Sequence, residues 1–300
     1  TKRSQAVMAL QGDFKIIMTG TPIENHLGEL WNLFRFINPG LLGSLENFKL
    51  KFANPIERDT GKPASAAASD ALRRLIRPFI LRRTKDQVLQ ELPSRTEITL
   101  SIELSEEETT FYEALRREAI AKLKGSKKKA GQQHLQVLAE IMKLRRACCN
   151  PTLVKPELAI PSTKLARFSE LIEELLDNGH KALVFSQFVD HLKLLRTHLD
   201  EQQVSYQYLD GSTPVKKRKQ AVDAFQKGEG EVFLISLKAG GSGLNLTAAD
   251  YVLHMDPWWN PAVEDQASDR AHRIGQQRPV TIYRLVAKGT IEDKIVGLHK

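Results

Sequence analysis

The stretch from Ala182 to Glu201 reads ALVFSQFVDHLKLLRTHLDE, and its two parts have different patterns. Residues 182–185 form a short, uniformly apolar run, which is typical of a strand that is buried on both faces. Residues 188–201 have the amphipathic pattern of a helix that covers a sheet. The stretch therefore predicts one buried strand followed by one helix.

The same alternation continues through the carboxyl-terminal half of the chain. Further strand-like runs occupy 205–209, 232–235, 251–255 and 280–286, and further helical patterns occupy 163–178, 214–227 and 260–272. Short apolar strands that alternate with amphipathic helices predict an α/β fold with a parallel sheet and helices on both faces. Ligands bind such a sheet at the loops beyond the carboxyl ends of the strands, which begin here at Ser186, Asp210, Ser236 and Asp256.

The amino-terminal half has a different organisation. Phe14 to Met18 is an apolar run before Thr19-Gly20-Thr21-Pro22, and it predicts a buried strand that ends in a tight turn. Helical patterns dominate from Asp70 to Asn150. The alternating apolar residues of 96–104 interrupt them and predict a half-buried strand.

Local signals mark the next helix and a boundary. Ser105 and Glu108 have the spacing of a capping box, which predicts the start of a helix. Residues 151–161 contain three prolines, so we expect a linker there.

Composition limits the class of protein. The chain has 300 residues, which at about 150 residues per domain predicts two domains. Hydrophobic residues make up 41%, enough for a sizeable core, which excludes a mostly disordered chain. No run of about 18 uncharged apolar residues occurs, which excludes an integral membrane protein and predicts no membrane partner.

The net charge of +8 favours an anionic partner. Part of the charge lies in two runs, Lys127–Lys129 and Lys216–Lys219. Such runs are typical of nucleic-acid contact, although either could be only a solubilising surface.

Cysteine and histidine give no signal for a metal. The two cysteines, Cys148 and Cys149, are adjacent, and no C-x-x-C pair occurs. His191 and His198 lie seven residues apart on a predicted helix, where a solvated face is the simpler interpretation. We therefore predict no metal site, and a reducing compartment.

Two arginines lie in the stretch from Gln266 to Gln276. On a helix, Gln266, Arg270 and Arg273 would share one face, with Asp269 as the acidic neighbour. A phosphate would neutralise the excess positive charge, because arginine presents a planar, permanently charged fork to phosphate oxygens. The alternative is a basic helix that faces solvent.

A glycine-rich segment, Ser236 to Leu246, follows a predicted strand. Its glycines let the backbone approach a phosphate or ribose closely. The segment matches neither G-x-G-x-x-G nor G-x-S-x-G, so an ordinary loop is the alternative.

An ordered set of motifs resembles the Swi/Snf-type ATPases of helicase superfamily two. Thr19-Gly-Thr-Pro-Ile-Glu-Asn-His-Leu-Gly-Glu-Leu-Trp31 resembles motif III, Val184-Phe-Ser-Gln-Phe188 motif IV, and Leu209-Asp-Gly-Ser-Thr213 the strand-end block that follows. The segment 236–247 resembles motif V, and Met255-Asp-Pro-Trp-Trp-Asn-Pro261 running into Arg-Ile-Gly-Gln276 resembles motif VI. Arg77-Pro-Phe-Ile-Leu-Arg-Arg-Thr84 resembles the segment where the first lobe meets its helical insertion. The set covers nearly the whole chain in the family's order.

The resemblance implies two RecA-like lobes with ATP and Mg²⁺ between them. Arg270 and Arg273 would be arginine fingers, which stabilise charge on the transferring phosphoryl group, and Gln266 would help to position them. The implied nucleotide-binding residues are Gly241, Gly243, Asn245 and Asp269.

The resemblance also implies residues that face double-stranded DNA or couple it to the nucleotide. These are Thr19, Thr21, Ser186, Gln187, Ser236 and Lys238. Trp258 and Trp259 would pack at the interface of the lobes, or would be ordinary core anchors.

The implied architecture has four parts. Residues 1–58 would be a remnant of the first RecA-like lobe, 59–150 a mainly helical insertion, 151–161 a linker and 162–300 the second RecA-like lobe. No G-x-x-x-x-G-K-[ST] occurs, and the Asp200-Glu201 pair lacks the Ala-His of a DEAH box. We therefore expect a carboxyl-terminal piece of an ATPase that is inactive alone, with the first lobe as its partner and Mg²⁺ held by that missing upstream half.

Two other functions stay open at this point. The chain could be a non-catalytic module that binds DNA or a partner, or part of a helicase that separates strands. The expected partner of a remodelling ATPase is a DNA-bound protein complex. The expected location is the bacterial cytoplasm with the nucleoid, or the eukaryotic nucleus.

Overall fold

The computed structural model of the chain describes residues 2–20, 22–23, 26–58, 63–83, 85–89, 91–125, 130–239 and 243–298. The chain divides into two compact units, Thr1–Gln90 and Glu91–Lys300. Each unit has its own hydrophobic core and is described by itself. None of the helices in the described residues combines the length and apolar character that a membrane crossing needs.

The first unit is helical. Its core contains Leu30 and Phe34 of the second helix, packed with Leu42, Phe48 and Leu72. The Ser44 hydroxyl caps the third helix by accepting from the Asn47 amide at 3.2 Å. The helices are α1 (Lys2–Met8), α2 (Leu27–Ile37), α3 (Leu45–Phe48), α4 (Asn54–Arg58), α5 (Pro63–Ile76) and α6 (Lys85–Val88), with a π turn at Lys49–Ala53 and a 3-10 turn at Arg77–Phe79.

The prediction of a strand from Phe14 to Met18 is wrong. These residues have no regular secondary structure, and the side chains of Phe14, Ile16 and Met18 are exposed. A strand needs a neighbour to satisfy its backbone groups, and none of the described residues of the first unit forms a strand. The apolar run alone therefore does not produce the buried strand.

A six-stranded parallel sheet organises the second unit. The strand order is β1-β6-β5-β2-β4-β3, and every pair of neighbours is parallel. The strands are β1 (Arg95–Ile102), β2 (Ala182–Ser186), β3 (Tyr206–Leu209), β4 (Val232–Ser236), β5 (Tyr251–His254) and β6 (Val280–Ala287).

Helices connect these strands and cover both faces of the sheet. Ala182 and Val184 of β2 belong to one core cluster, and Leu183 and Phe185 belong to the other. The predicted burial on both faces is therefore confirmed. The helices are α7 (Glu106–Lys124), α8 (Ala130–Cys149), α9 (Thr163–Asp177), α10 (Val189–Glu201), α11 (Val215–Gln226), α12 (Pro261–Ser268) and α13 (Ile291–Gly297).

The capping box at the start of α7 is present as predicted. The Ser105 hydroxyl accepts from the Glu108 amide at 3.1 Å, and the Glu108 carboxylate accepts from the Ser105 amide at 3.1 Å. The same carboxylate accepts from the Thr163 amide at 3.1 Å. Glu108 therefore joins the start of α7 to the start of α9.

The boundary of the second unit lies earlier than the predicted linker. β1 pairs along its whole length with β6, the last strand of the sheet. The strand predicted at 96–104 is thus an edge strand of this sheet, and the compact unit begins at Glu91. The predicted linker contains two 3-10 turns, Pro151–Leu153 and Pro156–Leu158. The division into four functional parts stays a prediction.

Candidate functional site

The carboxyl ends of β2 and β4 lie side by side, with Ser186 opposite Ser236. The buried Ser186 hydroxyl donates to Asp256 Oδ1 at 2.5 Å, and the Ser236 hydroxyl accepts from the Ala239 amide at 3.2 Å. Both predicted coupling residues therefore lie at the edge where a parallel sheet binds ligands. Their hydroxyls shape the loops rather than face solvent.

Asp256 connects the loops that follow β2 and β5. Its carboxylate accepts from the Gln187 amide at 3.3 Å as well as from Ser186. The Gln187 side chain turns inward, where its Oε1 accepts from Arg145 Nη1 at 3.0 Å. Gln187 is half-buried, so its side chain supports the loop in this conformation.

Arg145 is a residue of this edge that sequence reasoning missed. Its side chain, on α8, is fully buried and donates to the carbonyl of Pro257. The guanidinium carbon lies 5.0 Å from the Trp259 ring and 5.9 Å from the Trp258 ring, within the range of cation–π attraction. The sequence held no signal for this role, because the partners of Arg145 are distant along the chain.

The predicted helix over 260–272 is too long. Helix α12 ends at Ser268, and residues 269–275 form turns. Gln266, Arg270 and Arg273 therefore do not share one helical face, and that prediction is wrong. Gln266 and Arg273 are exposed, whereas Arg270 is buried.

Gln276 anchors the turns that follow the helix. Its Nε2 donates to the carbonyls of Thr247 at 3.2 Å, Ala249 at 2.8 Å and Ala271 at 3.1 Å. Buried carbonyls require such partners, so these bonds stabilise the turns after α12 against the loop after β4.

The glycine-rich segment and the arginine segment are in direct contact as a result. The Leu246 amide donates to the Arg270 carbonyl at 3.0 Å, and Arg273 Nη1 donates to the Leu244 carbonyl at 3.3 Å. Gly243, with φ +92°, and Asn245 are exposed beside this contact. The two segments predicted to bind phosphate thus form one surface.

The two arginines affect each other electrostatically. Burial, and next the positive charge of Arg273, lower the pKa of Arg270 to about 10. The Arg270 guanidinium also lies 5.9 Å from the Phe185 ring. A bound anion at this surface would favour the charged form of Arg270.

Asp269 belongs to an ion network that sequence reasoning missed. Arg95 of β1 donates to Asp269 at 3.2 Å and to Asp265 at 2.8 Å, and Arg284 donates to Glu264 at 2.7 Å. Both arginines also contact Glu97. The Asp269 carboxylate thus contributes to packing between α12 and the sheet.

The remaining residues that the resemblance implies differ in how exposed they are. Lys238 is exposed after β4, and Trp258 is half-buried against the core while Trp259 is 40% exposed. In the first unit, Thr19 is exposed. Thr21, Gly241 and the basic run Lys127–Lys129 lie outside the described residues.

A second polar surface lies around the start of α11. A cavity of about 660 Å³ there is lined by Lys193, Arg196 and Lys217 together with Asp210. Arg218 of the predicted basic run donates to the Ala239 carbonyl at 3.0 Å, which leaves its neighbours facing solvent. We call the exposed cations here the basic patch: Lys193, Arg196, Lys216, Lys217 and Lys219.

Histidine placement corrects one interpretation. His191 is fully buried rather than on a solvated face, and His198 bonds to Ser169 at 2.9 Å. His191 lies close to Cys149 and Asp256, which are also buried.

Two family models match the chain. The model of the SNF2-related domain matches residues 1–153, and the model of the helicase conserved C-terminal domain matches residues 163–275.

Proteins of similar sequence occur in bacteria and eukaryotes. The chain is 40% identical over 306 residues to YwqA of Bacillus subtilis (strain 168), whose name proposes an ATP-dependent helicase/translocase; the match covers 98% of this chain and 32% of that protein. It is 33% identical over 310 residues to the SWI/SNF-related matrix-associated actin-dependent regulator of chromatin subfamily A member 1 of Mus musculus, covering 99% of this chain and 29% of that one. The chain thus spans between about a quarter and a third of such relatives.

Solved structures support the same fold. The Sulfolobus solfataricus SWI2/SNF2 ATPase core in complex with double-stranded DNA is 36% identical to this chain, with a TM-score of 0.59. The match covers 100% of this chain and 63% of that one. The parallel sheet with helices on both faces is therefore RecA-like.

Proposed function

This chain belongs to the SNF2-related family of ATP-dependent helicases and translocases, and from that membership we propose that it forms the arginine side of an ATP cleft in a double-stranded-DNA translocase. The whole protein would be an ATPase that moves along DNA. Arg270 and Arg273 would bind the phosphate oxygens, and Gln266 would help to position them.

The position of Arg270 and Arg273 beside the glycine-rich segment carries the proposal. The Arg270 carbonyl and the Arg273 guanidinium both bond to the glycine-rich segment, and two positively charged side chains beside one loop attract an anion. The surface borders a loop with a glycine at φ +92°, where the backbone can approach a ligand. These residues fit the triphosphate of ATP, which would supply the γ-phosphoryl group.

The roles within the cleft differ between the two arginines. Arg273 is exposed and would contact the phosphate directly. Arg270 is buried and would hold its charge in a less polar setting, where it acts more strongly. Gly241, Gly243, Asn245 and Asp269 would approach the nucleotide. Mg²⁺ would be held by the complementary lobe rather than by this chain.

The basic patch supports contact with DNA. Exposed lysine and arginine side chains attract the phosphate backbone without reading its sequence. Thr19, Thr21, Ser186, Gln187, Ser236 and Lys238 would couple DNA to the nucleotide. A DNA-bound protein complex is the proposed target, in a bacterial nucleoid or a nucleus.

DNA-stimulated ATP hydrolysis tests the proposal. We would compare the 300-residue chain with a version extended upstream through a P-loop, and we expect activity only in the longer form. In that form, Arg270→Ala and Arg273→Ala should each lower the rate constant by about 1,000-fold or more, as loss of an arginine finger does.

Arg278→Ala is the matched control. Arg278 is also an exposed arginine near the sheet, but it donates to the carbonyl of Gly179 and contacts Asp250. It should keep wild-type hydrolysis. Equal activity of the wild type and the Arg270→Ala variant would refute the finger assignment.

A non-catalytic binding module is the second candidate, and the basic patch favours it. Tight, salt-dependent DNA binding by a folded long form that hydrolyses no ATP would identify this function. A strand-displacement assay on the active form would separate a translocase from a strand-separating helicase.

A further inference from the structure

Three potential metal ligands from different elements meet in the core of the second unit. They are Cys149 at the end of α8, His191 in the first turn of α10 and Asp256 after β5. Their ligand atoms, one from each side chain, all lie within 4.8 Å of one another, and all three residues are buried. Among the described residues, no other group of three or more His, Cys, Asp or Glu side chains comes this close together.

His191 is the unusual member of the group. Its side chain is fully buried, and neither Nδ1 nor Nε2 has a hydrogen-bond partner. An unsatisfied buried polar group costs free energy, so it calls for an explanation such as an ion. His254, which is equally buried, shows the ordinary solution, because its Nε2 lies 2.8 Å from the Ser268 hydroxyl.

We propose that Cys149, His191 and Asp256 together bind one zinc ion. Thiolate, imidazole and carboxylate are the ligand types that Zn²⁺ takes in proteins. The thiolate also discriminates against Mg²⁺, which prefers oxygen ligands, so this site is distinct in chemistry from that of the magnesium that accompanies ATP.

The charges around the group are compatible with a divalent ion. A Cys149 thiolate and the Asp256 carboxylate would neutralise it. The neighbouring Lys164 ammonium is already paired with Glu292 at 2.7 Å. Arg145 lies 3.9 Å from Asp256 Oδ2 and would share that carboxylate with the ion.

Zinc would fix the sheet edge that carries the proposed function. Through Cys149 and His191 it would join the end of α8 and the start of α10 to Asp256, which lies between β5 and α12. Zinc binds the thiolate form of cysteine, so binding would release the Cys149 proton. The role is positioning rather than contact with nucleotide.

The two adjacent cysteines give a sharp test. The chain has no other cysteine, so Cys148→Ser leaves Cys149 as the only thiol and Cys149→Ser leaves only Cys148. The purified 300-residue chain would be loaded with Zn²⁺, dialysed, and measured for zinc by mass spectrometry. We expect one zinc per chain in the wild type and in Cys148→Ser, and none in Cys149→Ser or His191→Leu.

Cobalt replaces zinc for a direct readout of the ligands. The Cys148→Ser chain with Co²⁺ should show the charge-transfer absorption of a cobalt–thiolate bond, which must come from Cys149. Its absence in that folded chain, or zinc retention by Cys149→Ser, would overturn the proposal. Because the cobalt spectrum uses a chain that keeps all three ligands, unfolding of the other variants leaves the test intact.

Discussion

Burial sets the protonation state of two histidines in the second unit. The pKa of His191 is lowered to about 3 by burial and then by the charge of Lys164, and that of His254 is lowered to about 3 by burial and then by Arg284. Both rings are therefore neutral in the folded chain at pH values where the unfolded chain protonates them. Single residues thus make the stability of this unit depend on pH.

The first prediction concerns His191→Leu in the presence of a metal chelator. Between pH 6.5 and about 3 the unfolded chain binds a proton that the folded ring does not, so the free energy of unfolding falls as the pH falls. One such ring contributes about 1.4 kcal/mol per pH unit. Urea unfolding from pH 6 to 4.5 should show a slope smaller by about that amount in the variant.

The matched control for this measurement is His134→Leu, at an exposed position of α8. It should keep the wild-type slope. A His191→Leu chain with the same slope as the wild type would mean that His191 does not stay neutral in the folded state.

At the scale of elements, the connection between α7 and α9 depends on one capping residue. Ser105 and Glu108 satisfy each other's backbone amides, and Glu108 extends the connection to Thr163. The negative charges of Glu106 and Glu107 in the first turn also stabilise the helix, because they lie at the positive end of its dipole. The start of α7 is therefore strongly defined by local chemistry.

The second prediction is that Ser105→Ala lowers the free energy of unfolding by about 1 kcal/mol, because the cap bond to the Glu108 amide is lost. Urea unfolding followed by circular dichroism measures it. Thr110→Ala, at an exposed position of the same helix, should not lower the free energy of unfolding, because alanine has a higher helix propensity than threonine. Equal losses in both variants would argue against the cap.

The sequence predicts these elements well where the cause is local or periodic. β2 and β4 agree with their predictions to one residue, because a strand buried on both faces is a continuous apolar run. Phe14 to Met18 has the same pattern, but no strand occurs among the described residues of its unit. The turns after α12 depend on hydrogen bonds from Gln276 to carbonyls of another loop. Pairing and non-local hydrogen bonds are not encoded in a short window of sequence.

The residues of the candidate site also divide into those that the sequence predicts and those that it does not. The motif singles out Arg270 and Arg273, whose role stays a prediction, and the structure places both in contact with the glycine-rich segment. Arg95 and Arg145 are missed, because each is an ordinary charged residue in its own element. Their roles arise from partners that only the folded sheet brings near.

At the scale of the whole molecule, the net charge of +8 is concentrated in part at the basic patch. Several other lysines are neutralised locally, such as Lys122 by Glu118 at 2.6 Å and Lys288 by Glu103 at 2.6 Å. An anionic polymer would therefore approach the patch in preference to those positions.

The third prediction compares two double variants in DNA binding. Lys216→Ala with Lys217→Ala should weaken binding and reduce the slope of log affinity against log salt by about 1.8, at about 0.9 per phosphate contact. Lys122→Ala with Lys288→Ala removes the same charge from paired positions and should leave the slope unchanged. Fluorescence anisotropy with a labelled duplex measures the binding of both double variants. Equal salt slopes for the two would exclude the patch from the DNA surface.

Because β1 pairs with β6, the order in which the ribosome synthesises these strands affects how the unit folds. β1 emerges early, but β6, its one partner in the sheet, begins at Val280. At about 5–20 residues per second, the delay between them is roughly 10 to 35 s of translation. During that interval the nascent chain carries an unpaired edge strand, so the newborn protein has a time window in which chaperones or neighbouring chains compete for β1.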